Sequence, residues 1–197
     1  MSEKITEITL NWSRAYNFIE LVRADKEFKD KYSQPVPGVY IHTDHRTGNV
    51  SYVGKVSGRP SLWDRQFQHY KNYIGGLYVI PEIDPKSREY IWKASNNQIS
   101  IDTMCDENKF MSIVRKSFEY VRKVNIRLCI LSTHEEAKAV ERELIWALQP
   151  LDTKNGRMTP PNFTINLIHN CADFREFTDL IANNERNNHH FVGTTNA

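Results

Sequence analysis

The sequence contains few cysteines, and their spacing excludes two classes of small protein. Cys105, Cys129 and Cys171 are the three cysteines of the 197-residue chain, and no two of them form a C-x-x-C pair. An odd number at long spacings is not typical of a disulfide framework or of a structural zinc site. We therefore expect reduced, buried thiols.

Long apolar runs and an excess of one charge are also missing. The longest apolar stretches reach only about half the length of a membrane-spanning helix. The first residues, MSEKITEITLNW, are mixed and polar rather than a basic-then-apolar leader. The net charge is +2, which by itself indicates no nucleic-acid partner. We expect a cytoplasmic protein without membrane contact.

Charge is nevertheless uneven along the chain. Residues 109–127 contain six Lys or Arg and one acidic residue, Glu119. Apolar residues recur between these charges at helical spacing, which predicts a basic amphipathic helix over 107–123. Such a helix is either a solvated face or a source of phosphate contacts.

Periodicity and turn residues predict a mixture of helices and strands. We predict strands at 38–43, 50–56 and 125–131, and further helices at 10–32, 61–74 and 172–184. The clearest helix begins at a capping box, Thr133 with Glu136, and ends before Pro150. The last dozen residues are predicted to be a disordered tail.

The helix at 61–74 carries two polar side chains with helical spacing. Arg65 and His69 are four residues apart, and we predict that they lie roughly opposite an apolar stripe. That stripe consists of Trp63, Phe67, Tyr70 and Ile74. The polar pair is either an exposed basic face or a phosphate clamp, because a planar guanidinium matches phosphate and histidine moves protons near neutral pH.

Glu141 is placed on the apolar side of its helix, near Ile145 and Leu148, whereas Glu143 is predicted to face solvent. A carboxylate on an apolar face requires a cation, a metal ion or a donor network. A buried salt bridge and a metal-binding or catalytic role are both open.

Two tyrosines stand on the predicted hairpin. Tyr40 ends Gly-Val-Tyr, and Tyr52 begins Tyr-Val-Gly-Lys, whose Lys55 closes the second strand. Their interpretation is cross-strand aromatic packing or paired hydroxyls in a site. A second such tripeptide, Tyr73-Ile74-Gly75, comes too late for the hairpin and is predicted to end a helix.

The order of these elements resembles the GIY-YIG nuclease family. The resemblance covers roughly residues 36–155 and rests on five elements in one order. They are Gly38-Val39-Tyr40, Tyr52-Val53-Gly54-Lys55, Leu62 to Arg65 with His69, Glu141, and Pro150 nine residues after it.

The resemblance implies a small α+β fold, with a three-stranded antiparallel sheet flanked by helices. The core at 36–155 would carry an insertion at 74–123, between an N-terminal helical extension at 1–35 and a C-terminal extension at 156–197. The whole chain would form one domain.

The resemblance also implies a metal-dependent endonuclease that hydrolyses DNA phosphodiester bonds. Glu141 would hold one Mg²⁺ or Mn²⁺, and Arg65 would neutralise a phosphate oxygen. Tyr40 would activate water, with Lys55 lowering its pKa, while Tyr52 and His69 position phosphate or pass protons. The family also carries an asparagine after the proline, for which Asn155 is the candidate.

The additions around the core favour a type II restriction endonuclease that binds double-stranded DNA. Phosphate contacts would come from Lys109, Arg115, Lys116, Arg122 and Lys123. One active site per chain predicts a homodimer if the target is palindromic. The alternatives are a structure-specific, mobile-element or phage nuclease of the same core, and a DNA-binding module without cleavage.

Overall fold

Helices and strands alternate along the chain, which confirms the predicted α+β mixture. The computed structural model describes residues 6–78, 80–84, 86–87, 90–91, 101–148, 150, 165–171 and 189–193. Within these residues the strands are β1 (Thr6–Asn11), β2 (Tyr16–Asn17), β3 (Pro37–Asp44), β4 (Asn49–Ser57), β5 (Glu82–Ile83), β6 (Tyr90–Ile91), β7 (Val124–Ile130), β8 (Ile165–Cys171) and β9 (His189–Gly193). The helices there are α1 (Phe18–Val22), α2 (Lys26–Tyr32), α3 (Leu62–Ile74), α4 (Ile101–Cys105), α5 (Glu107–Val121) and α6 (His134–Leu148).

An antiparallel sheet carries the tyrosine hairpin. Its strand order is β2-β7-β3-β4, so β4 forms an edge among the described strands. The predicted hairpin and its third strand at 125–131 are confirmed, because β3 pairs with both β4 and β7. The expectation of three strands is wrong, since Tyr16 of the two-residue strand β2 pairs with Ile126 of β7.

The N-terminal segment is not the single helix predicted over 10–32. Leu10 lies in β1, and two short helices follow it. The side chains of Asn17 and Asp25 cap α1 and α2, and each cap starts a new helix where a continuous one was expected. The apolar residues of the segment serve two different cores, with Leu10 in one and Phe18 in the other.

A parallel sheet, β1-β8-β9, was not predicted. Trp12, just after β1, donates from Nε1 to Nδ1 of His169 in β8 at 3.0 Å. Strand β9 includes residues 189–193, so the predicted disordered tail is wrong for this stretch. The predicted helix at 172–184 lies outside the described residues.

Helices α3 and α6 pack on opposite faces of the antiparallel sheet. Because side chains alternate along a strand, Val39 and Ile41 of β3 face one core, where they pack with Leu144 of α6. Tyr40 faces the other core with Leu62 of α3. Helix α5 joins this second core through its last turn, so α3 and α5 cover the Tyr40 face.

Local capping determines where both flanking helices begin. Ser61 Oγ accepts the backbone N–H of Asp64, and α3 ends at Gly75, which confirms that Tyr73-Ile74-Gly75 is a helix end. The predicted capping box of α6 is confirmed, since Thr133 and Glu136 each accept the other's backbone N–H.

Two of the three cysteines match the expectation of free, buried thiols. Cys129 and Cys171 are buried, but Cys105 is exposed. Of the helices in the described ranges, none has the length and apolar character needed to cross a membrane.

Candidate functional site

Tyr40 lies over the backbone of the neighbouring strand, and a glycine makes this possible. Tyr40 is paired with Gly54 of β4 and only 1% of its surface is exposed. A Cβ on Gly54 would lie against the Tyr40 hydroxyl, 2.5 Å from Cζ of that ring and 2.8 Å from Cε1 of Tyr52. Gly54 therefore leaves the space that both tyrosine rings occupy.

The Tyr40 hydroxyl is held between two side chains of α3. Its oxygen is 2.9 Å from Nε2 of His69 and accepts a hydrogen bond from Nε of Arg65 at 3.3 Å. Nη1 of Arg65 also donates to Gln68 at 2.6 Å, which orients the guanidinium. Tyr40, Arg65 and His69, three residues predicted from the sequence, thus meet at one oxygen atom.

Four aromatic side chains form a mutual cluster around this oxygen. They are Tyr40, His42, Tyr52 and His69, which we call the four-ring cluster. All six distances between their ring centroids lie between 5.1 and 5.9 Å. Tyr52 joins it because β4 places it directly opposite His42 of β3. The aromatic packing expected for the two tyrosines is thus present, and the Tyr40 hydroxyl bonds to His69 and Arg65.

The buried face of α3 differs from the predicted one. His69 is only 4% exposed, and the residues that face the sheet are Leu62, Gln66, His69 and Tyr73. Phe67 of the predicted apolar stripe is 43% exposed. Trp63, Tyr70 and Ile74 of the predicted stripe are partly buried and pack against the core on the Tyr40 face, so the stripe is wrong only for Phe67. The buried face also includes polar side chains, because His69 and Gln66 bond to side chains of β3.

Sequence reasoning missed His42 and its partner Gln66. His42 Nε2 and Gln66 Oε1 are 2.7 Å apart, and both side chains are buried. Burial lowers the pKa of His42 to about 4, and the nearby Arg65 charge contributes in the same direction. Two features of the sequence could have identified them. His42 is two residues after Tyr40 and so lies on the same face of the strand, and Gln66 is three residues before His69 and so lies on the same face of the helix.

The pKa of the Tyr40 hydroxyl is raised, whereas the sequence led us to expect that Lys55 would lower it. Burial raises the pKa of Tyr40 well above its ordinary value, Tyr52 adds to the increase, and Arg65 opposes it. Lys55 was expected to lower this pKa, but it is paired with Val39 in the sheet and so lies on the opposite face. The prediction for Lys55 is wrong because Lys55 directly follows Gly54, and successive residues of a strand point to opposite faces of the sheet.

Lys55 instead meets Glu141 on the α6 face. Lys55 Nζ is 3.4 Å from Oε2 of Glu141, and both side chains are partly exposed. Burial raises the pKa of Glu141, and the Lys55 ammonium opposes that increase. One of the two interpretations of Glu141, a salt bridge, is therefore present. It brings together Lys55 and Glu141, two of the residues predicted for the site.

Glu143 is also buried, with 6% of its surface exposed, and the prediction that it faces solvent is wrong. The buried residues of α6 include Glu143 and Ala147 as well as Val140 and Leu144. At about 100° per residue they form one arc that is wider than the apolar stripe, and Glu143 lies at its border.

The two halves of the candidate site meet at β4. Tyr40, Tyr52, Arg65 and His69 lie on its α3 face, and Lys55 with Glu141 lies on its α6 face. Among the described strands, β4 is the edge strand of this sheet. A ligand that reaches both halves would therefore cross this edge.

Glu141 is the candidate ligand for a divalent cation. Among the described residues there is no group of three or more His, Cys, Asp or Glu that could hold a metal ion. Mg²⁺ commonly binds through one or two carboxylates, with waters and substrate phosphates completing its octahedron. A partly exposed carboxylate such as Glu141 fits that mode of binding, in which substrate supplies part of the coordination.

The predicted DNA-binding side chains all point to solvent. They are Lys109, Arg115, Lys116, Arg122 and Lys123. Lys116 and Lys123 border a groove of about 290 Å³ that Arg46, Glu119 and Tyr120 also line. Arg46 is engaged by Asp44 and lies over the Tyr120 ring, 4.7 Å from its centroid. Asn155, the candidate for the family asparagine, lies outside the described residues.

The buried histidine predicts a pH dependence of stability. A histidine whose pKa falls from 6.5 to about 4 on folding keeps its full contribution above the unfolded value and loses it as pH falls. As the pH falls from 6.5 to about 4, the free energy of unfolding should decrease by about 3 kcal/mol because the unfolded state binds a proton at His42 and the folded state does not. Urea denaturation of the wild type at several pH values should show this decrease. The control variant His45→Gln should show it as well, whereas His42→Phe should not. A wild-type decrease in His42→Phe would contradict the assignment to His42.

Comparison with known proteins adds no relative to these observations. A scan against protein-family models, a search of curated proteins and a search of solved structures each find no significant match. The chemistry of the site is therefore derived from the residues themselves, in particular from Tyr40, His69 and Arg65 on one face of β4 and Glu141 on the other.

Proposed function

We propose that the chain is a metal-dependent DNA endonuclease of the GIY-YIG type that hydrolyses phosphodiester bonds. One observation carries the proposal: the buried Tyr40 hydroxyl lies between Nε2 of His69 and Nε of Arg65. A hydroxyl with a proton acceptor on one side and a fixed cation on the other can activate water beside a phosphate.

The hydrogen bonds define what each group can do. Arginine only donates, so the Tyr40 oxygen accepts from Arg65 and can direct its proton at His69 Nε2. Because the pKa of Tyr40 is raised, the group begins as a phenol rather than a phenolate. The attacking water gives a proton to the Tyr40 oxygen as the phenol proton passes to His69, and the resulting hydroxide forms the new bond to phosphorus. The bond from phosphorus to a ribose oxygen breaks, and this oxygen takes a proton from solvent water to leave as a hydroxyl group.

Arg65 is suited to the charge that develops in this reaction. Its guanidinium is half-buried and fixed by Tyr40 and Gln68, so it needs little reorganisation when a phosphate oxygen gains charge. Tyr52 is the one tyrosine of the four-ring cluster that is partly exposed, which suits it to contact the phosphate.

Glu141 would hold Mg²⁺ or Mn²⁺, with Lys55 as its neighbouring cation. A divalent cation supplies stabilisation of phosphate and leaving-group charge. The edge strand β4 separates this carboxylate from the tyrosine face. A DNA strand that crosses the edge would meet Arg65 on one side and Lys55 with Glu141 on the other.

Double-stranded DNA is the substrate that fits the charges around this site. Helix α5 covers the same sheet face as the four-ring cluster, and its lysines and arginines are exposed. Exposed basic side chains beside a phosphate-cleaving site supply contacts that do not depend on base sequence. We infer a type II restriction enzyme acting as a homodimer, in which the segments outside the core read the bases.

Replacing Tyr40 with phenylalanine tests the proposal, because it removes one oxygen and keeps the ring. We expect cleavage of plasmid and phage DNA in Mg²⁺ to fall about 100-fold or more, with no cleavage by the wild type in EDTA. Tyr70→Phe removes a hydroxyl from a residue of α3 that lines the groove beside α1, and it should cut like the wild type.

The products distinguish the proposed enzyme from its alternatives. Discrete bands from the wild type support a restriction enzyme, and preferential cutting of branched DNA supports a structure-specific nuclease instead. Binding without cutting in either Mg²⁺ or Mn²⁺ would overturn the proposal and leave a DNA-binding module. Normal cutting by Tyr40→Phe would overturn the role of the hydroxyl.

A further inference from the structure

One member of the four-ring cluster has no part in the proposed reaction. His42 is 1% exposed and its ring centroid lies 5.4 Å from Tyr40, 5.7 Å from Tyr52 and 5.1 Å from His69. It therefore touches all three rings to which chemistry has been assigned. Phe18 of α1 closes the other side of His42 with an edge-on contact at 5.4 Å.

Gln66 determines how His42 sits. The 2.7 Å hydrogen bond joins Gln66 Oε1 to His42 Nε2, and Gln66 is fully buried one residue after Arg65 on α3. The same helix turn thus holds Arg65 against Tyr40 and Gln66 against His42. A hydrogen bond between a strand residue and a helix residue links the rotation of α3 to the position of the rings on β3.

We propose that His42 and Gln66 are a positioning pair that holds the Tyr40 hydroxyl on His69 Nε2 and makes His69 the acceptor of its proton. The inference rests on the proposed function, because positioning matters only if that proton moves. His42 itself does not contact the phosphate in this scheme; it acts through Tyr40 and His69.

The charges around the two histidines support this division of roles. The groups that face His42 are Tyr40 on its own strand, Tyr52 on β4, and Arg65 and His69 on α3. Its partners on β7 and α1, Ile126 and Phe18, carry no charge. The one cation, Arg65, disfavours a second positive charge on His42, and burial does so more strongly. The Tyr40 proton is thereby directed to His69 rather than to His42.

Two variants separate positioning from simple packing. His42→Phe keeps an aromatic ring but leaves the Gln66 amide buried without this partner, whereas His42→Phe with Gln66→Leu replaces both polar partners by apolar ones. We expect the single variant to lower both the melting temperature and kcat, the latter about 10- to 100-fold, since small displacements at a reacting group cost that much. The double variant should recover the melting temperature but not kcat, and KM for DNA should stay unchanged in both.

Recovery of both melting temperature and kcat in the double variant would overturn the inference, because His42 would then contribute packing alone. Wild-type kcat in His42→Phe would overturn it as well. Restoration of part of the rate by His42→Gln, which keeps a donor near the position of Nε2, would support it.

Ring ¹⁵N spectra provide a readout that does not need cleavage. With Tyr40 donating to Nε2, His69 should carry its proton on Nδ1 in the wild type, and His42→Phe should show a mixture of tautomers; the His69 signals are assigned with His69→Gln. Unchanged His69 spectra in His42→Phe would overturn the inference even if the enzyme cuts DNA. A wild type that cuts no DNA, while these spectra still change, would refute the proposed function and leave the positioning of His69 by His42 intact.

Discussion

Replacing Glu141 with glutamine should abolish DNA cleavage, with a fall of about 1000-fold or more. Glutamine keeps the shape of the side chain but removes the charge that a divalent cation requires. Binding of the DNA should persist, because the arginine, the tyrosines and the basic side chains of α5 remain. The measurements are single-turnover cleavage in Mg²⁺ and Mn²⁺ and a binding titration in Ca²⁺.

The Lys55–Glu141 ion pair allows a sharp control for this prediction. If the pair only stabilises the fold, Glu141→Gln and Lys55→Met should each cost about 1 kcal/mol or less and leave cleavage near the wild-type rate. Glu135→Gln, an exposed carboxylate in the first turn of the same helix, should cut normally. Cleavage by Glu141→Gln at the wild-type rate would show that this carboxylate holds no essential metal ion.

Replacing Gly54 with alanine, which adds one methyl group, should strongly reduce both cleavage and stability. In Gly54→Ala the added Cβ would lie 2.5 Å from Cζ of Tyr40, which is closer than real Cβ contacts come. The Tyr40 ring is buried within the four-ring cluster, so to avoid this contact its hydroxyl must move away from His69 or Arg65. We expect cleavage to fall about 100-fold or more and the free energy of unfolding to fall by about 1–3 kcal/mol.

Stability and activity can be separated in this experiment. Ser57→Ala changes an exposed residue at the end of the same strand and should alter neither cleavage nor the unfolding midpoint. Cleavage should be compared well below the melting temperature of the Gly54→Ala protein, with its far-UV circular dichroism as a check of folding. A folded Gly54→Ala protein with wild-type cleavage would mean that the position of the Tyr40 hydroxyl is not critical.

Much of the local structure followed from the sequence because its signals are short-range. The hairpin, the stop of α3 at Gly75 and the capping box of α6 each depend on a few neighbouring residues. The pairing of Tyr40 with Gly54 follows from the same hairpin and brings Tyr52 near it. These features could be predicted because backbone conformation and capping act within a turn or two of chain.

The buried faces of the helices could not be predicted in the same way. An apolar stripe on α3 indicated one face, but Gln66 and His69 are buried because β3 presents hydrogen-bond partners to them. Glu143 is buried because α6 buries an arc of its surface that is wider than its apolar stripe. Burial of a polar group depends on which partner meets it, and that partner comes from a distant part of the chain.

The sequence by itself determined the elements that carry the candidate residues and the helical spacing of Arg65 and His69, while the grouping of this pair with Tyr40 was implied by the family resemblance. Only the tertiary structure decided that Lys55 joins Glu141 on the opposite face of β4, and that His42 completes the cluster of rings. The physical reason is one of range: strand period, helix period and caps are local, whereas desolvation and hydrogen-bond pairing depend on the assembled sheet and helices.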